Sequence, residues 1–261
     1  MENYKTKKRL GQNFLKNFSY IQQIIESIPK LPYQLIEIGI GLGDLTQELA
    51  KRDSLKAYEV DPDLCSLFDK NFAPLIASKK VELIQKDVLE IQQEKGWLHP
   101  SDYVLVSNLP YYIATPIILR LLRDSVCKYL VVMTQKEVAQ KFCAHTQESA
   151  FCALSVLAQT FGKPQMLFDV PNTAFEPAPK VTSSVFCIDK MQNTAQGDYK
   201  FEEFLKIAFC APRKKLAKNL QKAFADTASL LHTLQIQSDA RPHEVSTQDY
   251  HRIYQHITKG V

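Results

Sequence analysis

A glycine-rich turn, Gly39-Ile40-Gly41-Leu42-Gly43, limits what this chain can fold into more than any other segment. It follows the apolar run Leu35–Ile38, and an amphipathic stretch begins directly after it and continues to about Lys51. Such a turn after the first strand of a parallel α/β sheet lets a ligand approach the backbone at a helix N-terminus. The dinucleotide-binding motif needs Gly or Ala at position 44, where this chain has Asp44, and this weakens a prediction of NAD or FAD binding.

Further apolar runs follow, separated from one another by helical patterns. They are Lys56–Val60, Val81–Gln85, Tyr103–Ser107 and Tyr129–Met133. Strands rich in Val, Ile and Leu that alternate with helices predict an α/β fold with a buried, mainly parallel sheet. Two later runs, Met166–Val170 and Ser184–Ile188, have no helix between them and predict an antiparallel hairpin that completes a seven-stranded sheet.

A second, smaller domain is predicted beyond a linker near residues 193–198. Apolar residues recur there with helical spacing: Phe201, Phe204, Leu205 and Ala208, then Leu216, Leu220, Ala223 and Phe224. Lys214, Lys218 and Lys222 repeat every four residues, which predicts a basic helix face over residues 213–222. We therefore expect a catalytic domain over residues 1–190, with an N-terminal arm over residues 1–20, and a small all-helical domain over residues 191–261.

The net charge of +4 is unevenly distributed along the chain. Residues 1–10 carry +3 and residues 204–225 carry +6 with no acidic residue, so the rest of the chain sums to −5. Two basic segments on a slightly acidic body suggest a polyanionic partner. Phosphate contacts are expected from Arg213, Lys214, Lys215, Lys218 and Lys222.

The cysteines, the histidines and the apolar runs exclude several classes of protein. The six cysteines and six histidines have no metal-ligand spacing, so we expect free thiols and no metal site. No apolar run approaches the roughly 18 residues of a transmembrane helix. The basic N-terminus lacks the apolar core of a signal peptide, and we expect a cytoplasmic protein without membrane contact.

Acidic residues at two strand ends predict a nucleoside cofactor. Glu59 lies 20 residues after Gly39, at the end of the second strand, where a carboxylate can accept both ribose hydroxyls. NAD and S-adenosylmethionine share this need. Asp87 follows the third strand and is well placed to accept a hydrogen bond from an adenine amino group.

The chemistry is expected at the end of the fourth strand, in Asn108-Leu109-Pro110-Tyr111. An aromatic amine such as adenine N6 is a poor nucleophile, because its lone pair is delocalised into the ring. An Asn side-chain oxygen and a backbone carbonyl can each accept one amine hydrogen, which localises the lone pair and aims it at a methyl group. Pro110 fixes the direction of the preceding carbonyl, and Tyr111 offers a face for base stacking worth about 1–3 kcal/mol. The motif predicts methylation of an amine on a planar group by positioning, without a strong base.

Several motifs together resemble one family over nearly the whole chain. They are Lys8–Leu15, Glu37–Gly43, Glu59–Asp61, Asp87, Asn108–Pro116, Gln135–Ala139, Phe175–Val185 and Arg213–Lys215. The chain resembles the ribosomal RNA adenine N6-dimethyltransferases, and most closely their bacterial small-subunit (16S) branch, the KsgA/RsmA family. Ile40 stands where the family usually has proline. The resemblance implies a Rossmann-like methyltransferase sheet and S-adenosylmethionine as cofactor.

The resemblance also implies roles for individual residues. The cofactor contacts would come from Asn13 and Leu15 of the arm, Gly39, Glu59, Asp87 and Asn108. Phe175 would stack on the target base opposite Tyr111. The substrate would be two adjacent adenosines in a hairpin loop near the 3′ end of 16S rRNA, each dimethylated within a small-subunit precursor by a monomeric enzyme.

Three alternatives stay open at this point. The antibiotic-resistance branch of the same family dimethylates one adenine of large-subunit rRNA and shares the central motifs. A non-enzymatic RNA-binding assembly factor would not need an intact Asn108-Leu109-Pro110-Tyr111. Methylation of a small amine or a protein glutamine has less need for the basic segment around Lys214.

Overall fold

The computed structural model describes residues 4–7, 10–93, 95–192 and 199–259. The strands in these ranges are β1 (Phe14–Leu15), β2 (Gln34–Ile38), β3 (Leu55–Glu59), β4 (Val81–Gln85), β5 (Tyr103–Asn108), β6 (Cys127–Gln135), β7 (Lys163–Val170), β8 (Phe175–Glu176) and β9 (Ser183–Asp189). The helices are α1 (Phe18–Glu26), α2 (Asp44–Arg52), α3 (Pro62–Asn71), α4 (Ala73–Ala77), α5 (Ala114–Arg123), α6 (Lys136–Cys143), α7 (Ala153–Phe161), α8 (Tyr199–Ala208), α9 (Leu216–Leu220), α10 (Thr227–Thr233) and α11 (Thr247–Lys259).

Seven of the strands form one sheet in the order β4-β3-β2-β5-β6-β9-β7. The pairs from β4 to β6 are parallel, and β9 is antiparallel to β6. The predicted α/β fold and its seven-stranded, mainly parallel sheet are confirmed, and the last two predicted strands are neighbours in it. Of these two, β9 lies inside the sheet and β7 at its edge.

The central strand β5 is buried along almost its whole length. Tyr103 to Ser107 of β5 are all buried, and Asn108, at the carboxyl end, is the first residue of that strand to be partly exposed. On α5, which follows β5, Ile117, Ile118 and Leu121 are 0% exposed. A continuous apolar run therefore fixes the depth of β5 and leaves a polar side chain at the sheet edge, where ligands bind in open α/β sheets.

The N-terminal arm is attached to the larger unit by a small sheet of its own. β1 pairs antiparallel with β8, with Phe14 opposite Glu176 and Leu15 opposite Phe175. Lys16 forms an ion pair with Asp44, its Nζ lying 2.7 Å from Oδ2. Asp44, which weakens the prediction of dinucleotide binding, thus pairs with the arm. It lies at the N-terminus of α2, where a carboxylate interacts favourably with the helix dipole.

The chain folds into two compact units. Unit 1 comprises residues 1–139 and 165–192, and unit 2 comprises residues 140–164 and 193–261. The sequence predicts a boundary near residue 190 but does not predict that residues 140–164 group with the C-terminal helices. Side chains of α7 account for this, since Gln159 accepts a hydrogen bond from Thr247 (2.5 Å) and the Thr160 hydroxyl lies 2.8 Å from His251 Nε2, both on α11.

The predicted basic helix over residues 213–222 is wrong, because only Leu216–Leu220 is α-helical. Lys215 has extended backbone angles (φ −59°, ψ 142°), and the backbone N–H of Leu216 bonds to the carbonyl of Ala240 rather than to the preceding turn. Pro212 also disfavours a helical residue before it. The four-residue lysine spacing therefore does not place these side chains on one helix face.

The cysteines are free thiols as predicted, and two of them, Cys152 and Cys210, are not fully buried. All six cysteines are free, and Cys65, Cys127, Cys143 and Cys187 are buried whereas Cys210 is exposed. Within the described ranges, none of the helices has the length and apolar character needed to span a bilayer.

Candidate active site

A cleft in unit 1 opens at the carboxyl ends of β2, β3, β4 and β5. It encloses about 860 Å³, including its open mouth. Its lining includes Gly11, Gln12, Asn13, Gly39, Gly41, Tyr58, Glu59, Asp87, Val88, Asn108, Leu109, Pro110, Tyr111 and Tyr112. Segments far apart in the sequence meet here because parallel strands bring their carboxyl ends to one edge.

The glycine-rich turn brings bare backbone to the cleft. Gly39, Gly41 and Gly43 all have positive φ, at 78°, 56° and 87°. A Cβ on Gly41 would lie 2.8 Å from the ring of Phe14 in the arm, so only glycine fits there. Ile40 is 4% exposed and packs in the core. The turn therefore does not depend on proline at that position.

Glu59 presents one free carboxylate oxygen to the cleft. Oε1 accepts hydrogen bonds from the backbone N–H groups of Val60 and Asp61, both at 2.9 Å. Among the described residues, Oε2 accepts one long hydrogen bond, from the Gly41 N–H at 3.4 Å. Burial raises the pKa of Glu59, and the three backbone N–H groups partly oppose this rise. The carboxylate is thus oriented and keeps accepting capacity for a diol.

The side chain of Asn108 is oriented by the N-terminal arm. Its Nδ2 donates to the backbone carbonyl of Asn13 at 3.1 Å, and Asn13 Nδ2 donates in turn to the carbonyl of Gly11 at 3.1 Å. The donor side of the Asn108 amide is therefore engaged, and Oδ1 remains available as an acceptor. Backbone bonds on either side, Leu109 N–H to Met133 (3.0 Å) and Ile113 N–H to Pro110 (3.1 Å), fix the turn.

Tyr111 is held by a residue that sequence reasoning missed. Its hydroxyl lies 2.6 Å from the Oγ of Ser183, which is 0% exposed at the start of β9. Burial raises the pKa of Tyr111, and the serine partly opposes the rise. The phenol is neutral at physiological pH, and the hydrogen bond sets the plane of the ring that faces the cleft.

The N-terminal arm lines one side of the cleft and is held there by hydrogen bonds and an ion pair to Asp61. Tyr4 (2.6 Å) and Gln12 (3.0 Å) donate to Asp61 Oδ2, and Lys7 Nζ lies 2.5 Å from Oδ1. Burial alone would raise the pKa of this 1% exposed carboxyl, but the hydrogen bonds from Lys7 and Tyr4 outweigh it and lower the pKa to about 2. The charge therefore persists at any physiological pH and fixes the arm two residues beyond Glu59.

Comparison with known proteins identifies the family to which the chain belongs. The sequence profile of the family described as ribosomal RNA adenine dimethylase matches residues 3–259. The chain belongs to the ribosomal RNA adenine dimethylase family. It is 56% identical to a ribosomal RNA small subunit methyltransferase A from Helicobacter hepaticus, over 99% of this chain and 94% of that one. It is thus a methyltransferase that acts on ribosomal RNA adenine.

Solved structures share its fold at lower identity. A dimethyladenosine transferase from Plasmodium falciparum superposes with a TM-score of 0.79 at 23% identity, over 95% of this chain and 98% of that one. The 23S rRNA methyltransferase ErmE gives 0.72 at 22% identity, over 94% and 100%. The Rossmann-like methyltransferase sheet is thereby confirmed.

Most of the cofactor and catalytic residues predicted for this dimethylase come together in the cleft. Asn13, Gly39, Glu59, Asp87 and Asn108 to Tyr111 all line it. Leu15 and Phe175 do not: they pair across β1 and β8 and are 5% and 6% exposed in the core. The role of Phe175 as a stacking partner of Tyr111 stays a prediction, and this conformation offers it no support.

In unit 2, four of the five predicted phosphate-binding residues line a basic groove. Its lining comprises Arg213, Lys214, Lys215, Lys218, Gln237, Asp239, Arg241 and Glu244. Lys222 is not part of it, and its Nζ lies 3.0 Å from the Sγ of Cys210. Sequence reasoning missed Arg241, whose backbone N–H is capped by Glu244, because it lies beyond the basic segment. No group of three potential metal ligands occurs among the described residues.

Proposed function

We propose that this dimethylase transfers methyl groups from S-adenosylmethionine to the N6 amines of two adjacent adenosines in the 3′-terminal hairpin loop of 16S rRNA. The observation that carries the proposal is the orientation of Asn108. Its Nδ2 donates to the Asn13 carbonyl, and Asn108 lines the cleft, so its Oδ1 is left to accept from a ligand there. The proposal further places the reaction in the cytoplasm, on a small-subunit precursor, with the enzyme as a monomer.

The groups that line the cleft match the parts of this cofactor. The left-handed glycines leave space that a Cβ on Gly41 would fill, and backbone can approach the amino-acid end there. Glu59 Oε2 can accept from the ribose hydroxyls. Asp87 accepts from the Leu89 N–H through Oδ1, which leaves Oδ2 for the adenine amine. When bound, the cofactor supplies an electrophilic methyl group on a sulfonium.

The protein's part in the reaction is positioning. Asn108 Oδ1 and the carbonyl of Leu109 each accept one hydrogen of the N6 amine, so that the nitrogen lone pair is directed out of the ring plane. Tyr111, held by Ser183, provides a face for the target base. The attacked nitrogen becomes acidic as it gains the methyl group, and its proton leaves through these acceptors to solvent. Holding the amine in line accounts for the rate without a strong base.

An adenine in a folded RNA must leave its stack to enter this cleft. The energy for that step has to come from contacts elsewhere on the RNA. The basic groove of unit 2 offers five exposed cations: Arg213, Lys214, Lys215, Lys218 and Arg241. Contacts of this kind bind phosphates without reading sequence. We infer that the groove supplies affinity and that the cleft selects the base.

The proposal is tested by incubating the protein with labelled cofactor and either unmethylated small-subunit particles or large-subunit rRNA. Mass spectrometry of nuclease fragments should find two adjacent dimethyladenosines near the 3′ end of 16S rRNA. Modification confined to the large subunit would refute the substrate and favour the antibiotic-resistance branch. Binding without any modification would favour an assembly factor.

Reversing the charge of Lys214 and Lys218 together is expected to weaken RNA binding about tenfold or more at low salt. Both side chains are exposed in the groove, and each lost phosphate contact should lower the slope of log affinity against log salt by about 0.9. Fluorescence anisotropy with several RNAs measures both quantities, and all sequences should weaken alike.

The matched control is Lys30→Glu with Lys80→Glu, which changes the net charge equally at exposed sites of unit 1. The control should retain the salt slope of the wild-type protein. Equal weakening in both double variants would show that net charge, and not the groove, governs binding.

A further inference from the structure

The segment that carries the adenine-binding carboxylate is held from outside the cleft. Asp87 and Val88 line the cleft and begin a short 3₁₀ turn over Val88–Glu90. The chain then runs from Ile91 to Gln93 without regular secondary structure. Asp87 Oδ1 is bonded to the Leu89 N–H, so the direction of its free Oδ2 depends on where this turn sits.

Two side chains take up the carbonyls of this segment. The indole Nε1 of Trp97 donates to the carbonyl of Val88 at 3.0 Å. The guanidinium of Arg120 donates to the carbonyls of Leu89, Ile91 and Gln93. Arg120 also lies 4.5 Å from the centre of the Trp97 ring, a cation–π distance. Four backbone carbonyls of this segment therefore accept hydrogen bonds from the stacked side chains of Trp97 and Arg120.

The Trp97–Arg120 pair is itself tied to α5. Asp124, 0% exposed at the end of that helix, accepts from the backbone N–H groups of Gly96 and Trp97, both at 2.9 Å, and from the Tyr103 hydroxyl at 2.7 Å. Trp97 is 2% exposed. The helix that supplies Arg120 and Asp124 begins at Ala114, shortly after the Asn108–Tyr111 turn. One helix thus links the catalytic turn to the support of the adenine-binding segment.

We propose that Trp97 and Arg120 are positioning residues that set the cleft's preference for the exocyclic amine of the cofactor's adenine. Their hydrogen bonds to the carbonyls between Val88 and Gln93 fix the position of the 3₁₀ turn. The position of this turn sets the direction of Asp87 Oδ2. This inference rests on the proposed binding of S-adenosylmethionine in this cleft. A hydrogen bond from an amine to an aimed carboxylate is lost with a small displacement, because its energy falls steeply with distance and angle.

The test compares two ligands in isothermal titration calorimetry: S-adenosylhomocysteine and S-inosylhomocysteine, which has a carbonyl in place of the amine. Wild type should prefer the first by roughly 10–100-fold, since a hydrogen bond to a charged group contributes about 1.5–3 kcal/mol. Trp97→Phe keeps an aromatic side chain and removes the N–H donor. It should weaken S-adenosylhomocysteine about tenfold and leave S-inosylhomocysteine unchanged.

Further variants keep the test decisive. Arg120→Met removes the guanidinium donors and retains the chain over the indole, and it should reduce the preference in the same direction even if Trp97→Phe folds poorly. Phe186→Leu, a 0% exposed site on β9, is the control for general loosening and should keep the wild-type preference. In methyl transfer, Trp97→Phe should raise the KM for cofactor with little change in kcat.

The outcomes separate the two proposals. Equal weakening of both ligands by Trp97→Phe and Arg120→Met, or an unchanged preference, overturns the positioning role. If the wild-type protein binds neither ligand, the proposed cofactor fails instead.

Discussion

Replacing Asn108 with alanine is expected to lower the rate of methyl transfer by about 10²–10³-fold, with RNA affinity changed little. The alanine lacks the oxygen that accepts an N6 hydrogen, so the amine keeps its lone pair in the ring and is not aimed. Because Asn108 is bonded to the described part of the arm through one hydrogen bond, to the carbonyl of Asn13, the cleft itself should remain formed. Single-turnover kinetics with saturating RNA measures the effect on the chemical step.

A matched control comes from another asparagine of the same unit. Asn17 caps the N-terminus of α1 through a 3.0 Å bond to the Ser19 N–H and lies outside the cleft lining. Asn17→Ala should lower the free energy of unfolding by about 1 kcal/mol and leave kcat unchanged. An unchanged kcat in Asn108→Ala would remove the residue from the chemistry. A raised KM at constant kcat would limit it to binding.

The parts of this molecule that follow from local periodicity could be predicted from sequence. Apolar runs such as Tyr103–Ser107 are buried on both faces, and their alternation with helices determines the sheet. Strand ends then locate Glu59, Asp87 and Asn108 at one edge, since parallel strands have no other way to arrange them. The cleft residues that lie at strand ends could therefore be predicted from the sequence.

The parts that depend on tertiary contacts could not be predicted. The lysine spacing at residues 214–222 indicates a helix, but the Leu216 N–H bonds to Ala240, some 24 residues away, and the helix is short. Ser183 supports Tyr111 across 72 residues, and neither of the two motifs that contain them indicates that they meet. Phe175 belongs to a family motif, yet it is buried on a strand that pairs with β1, opposite Leu15. In each case the partner lies far away in the sequence.

Glu37, a buried carboxyl in the motif before the glycine turn, is expected to destabilise the protein at neutral pH. It is 1% exposed on β2, and burial, together with the charge of Glu59, raises its pKa to about 8. The Thr46 hydroxyl beside it lowers the pKa in part, although neither it nor Glu37 Oε2 completes a hydrogen bond of good geometry with a described residue. The folded protein therefore holds a proton that the unfolded chain releases above its ordinary pKa of 4.5.

Glu37→Gln should accordingly raise the free energy of unfolding by about 3 kcal/mol at pH 7, as the amide has the shape of the protonated acid and no proton to lose. When folding raises the pKa of a carboxyl, the protein loses stability as the pH rises from the pKa of the unfolded state to the pKa of the folded state. The gain should thus be near zero at pH 4.5 and grow to about pH 8. Urea unfolding at several pH values measures this profile.

The pH profile distinguishes titration from packing. A gain that is constant with pH would mean that the amide merely packs better, and no gain at any pH would mean that Glu37 ionises without penalty. Glu82→Gln, at an exposed site on β4, should change stability by less than about 0.5 kcal/mol. Calorimetry with S-adenosylhomocysteine on the same variant gives the functional counterpart. If the more stable variant binds this ligand more weakly, the chain keeps a destabilising carboxyl next to Glu59 because the cofactor site needs it.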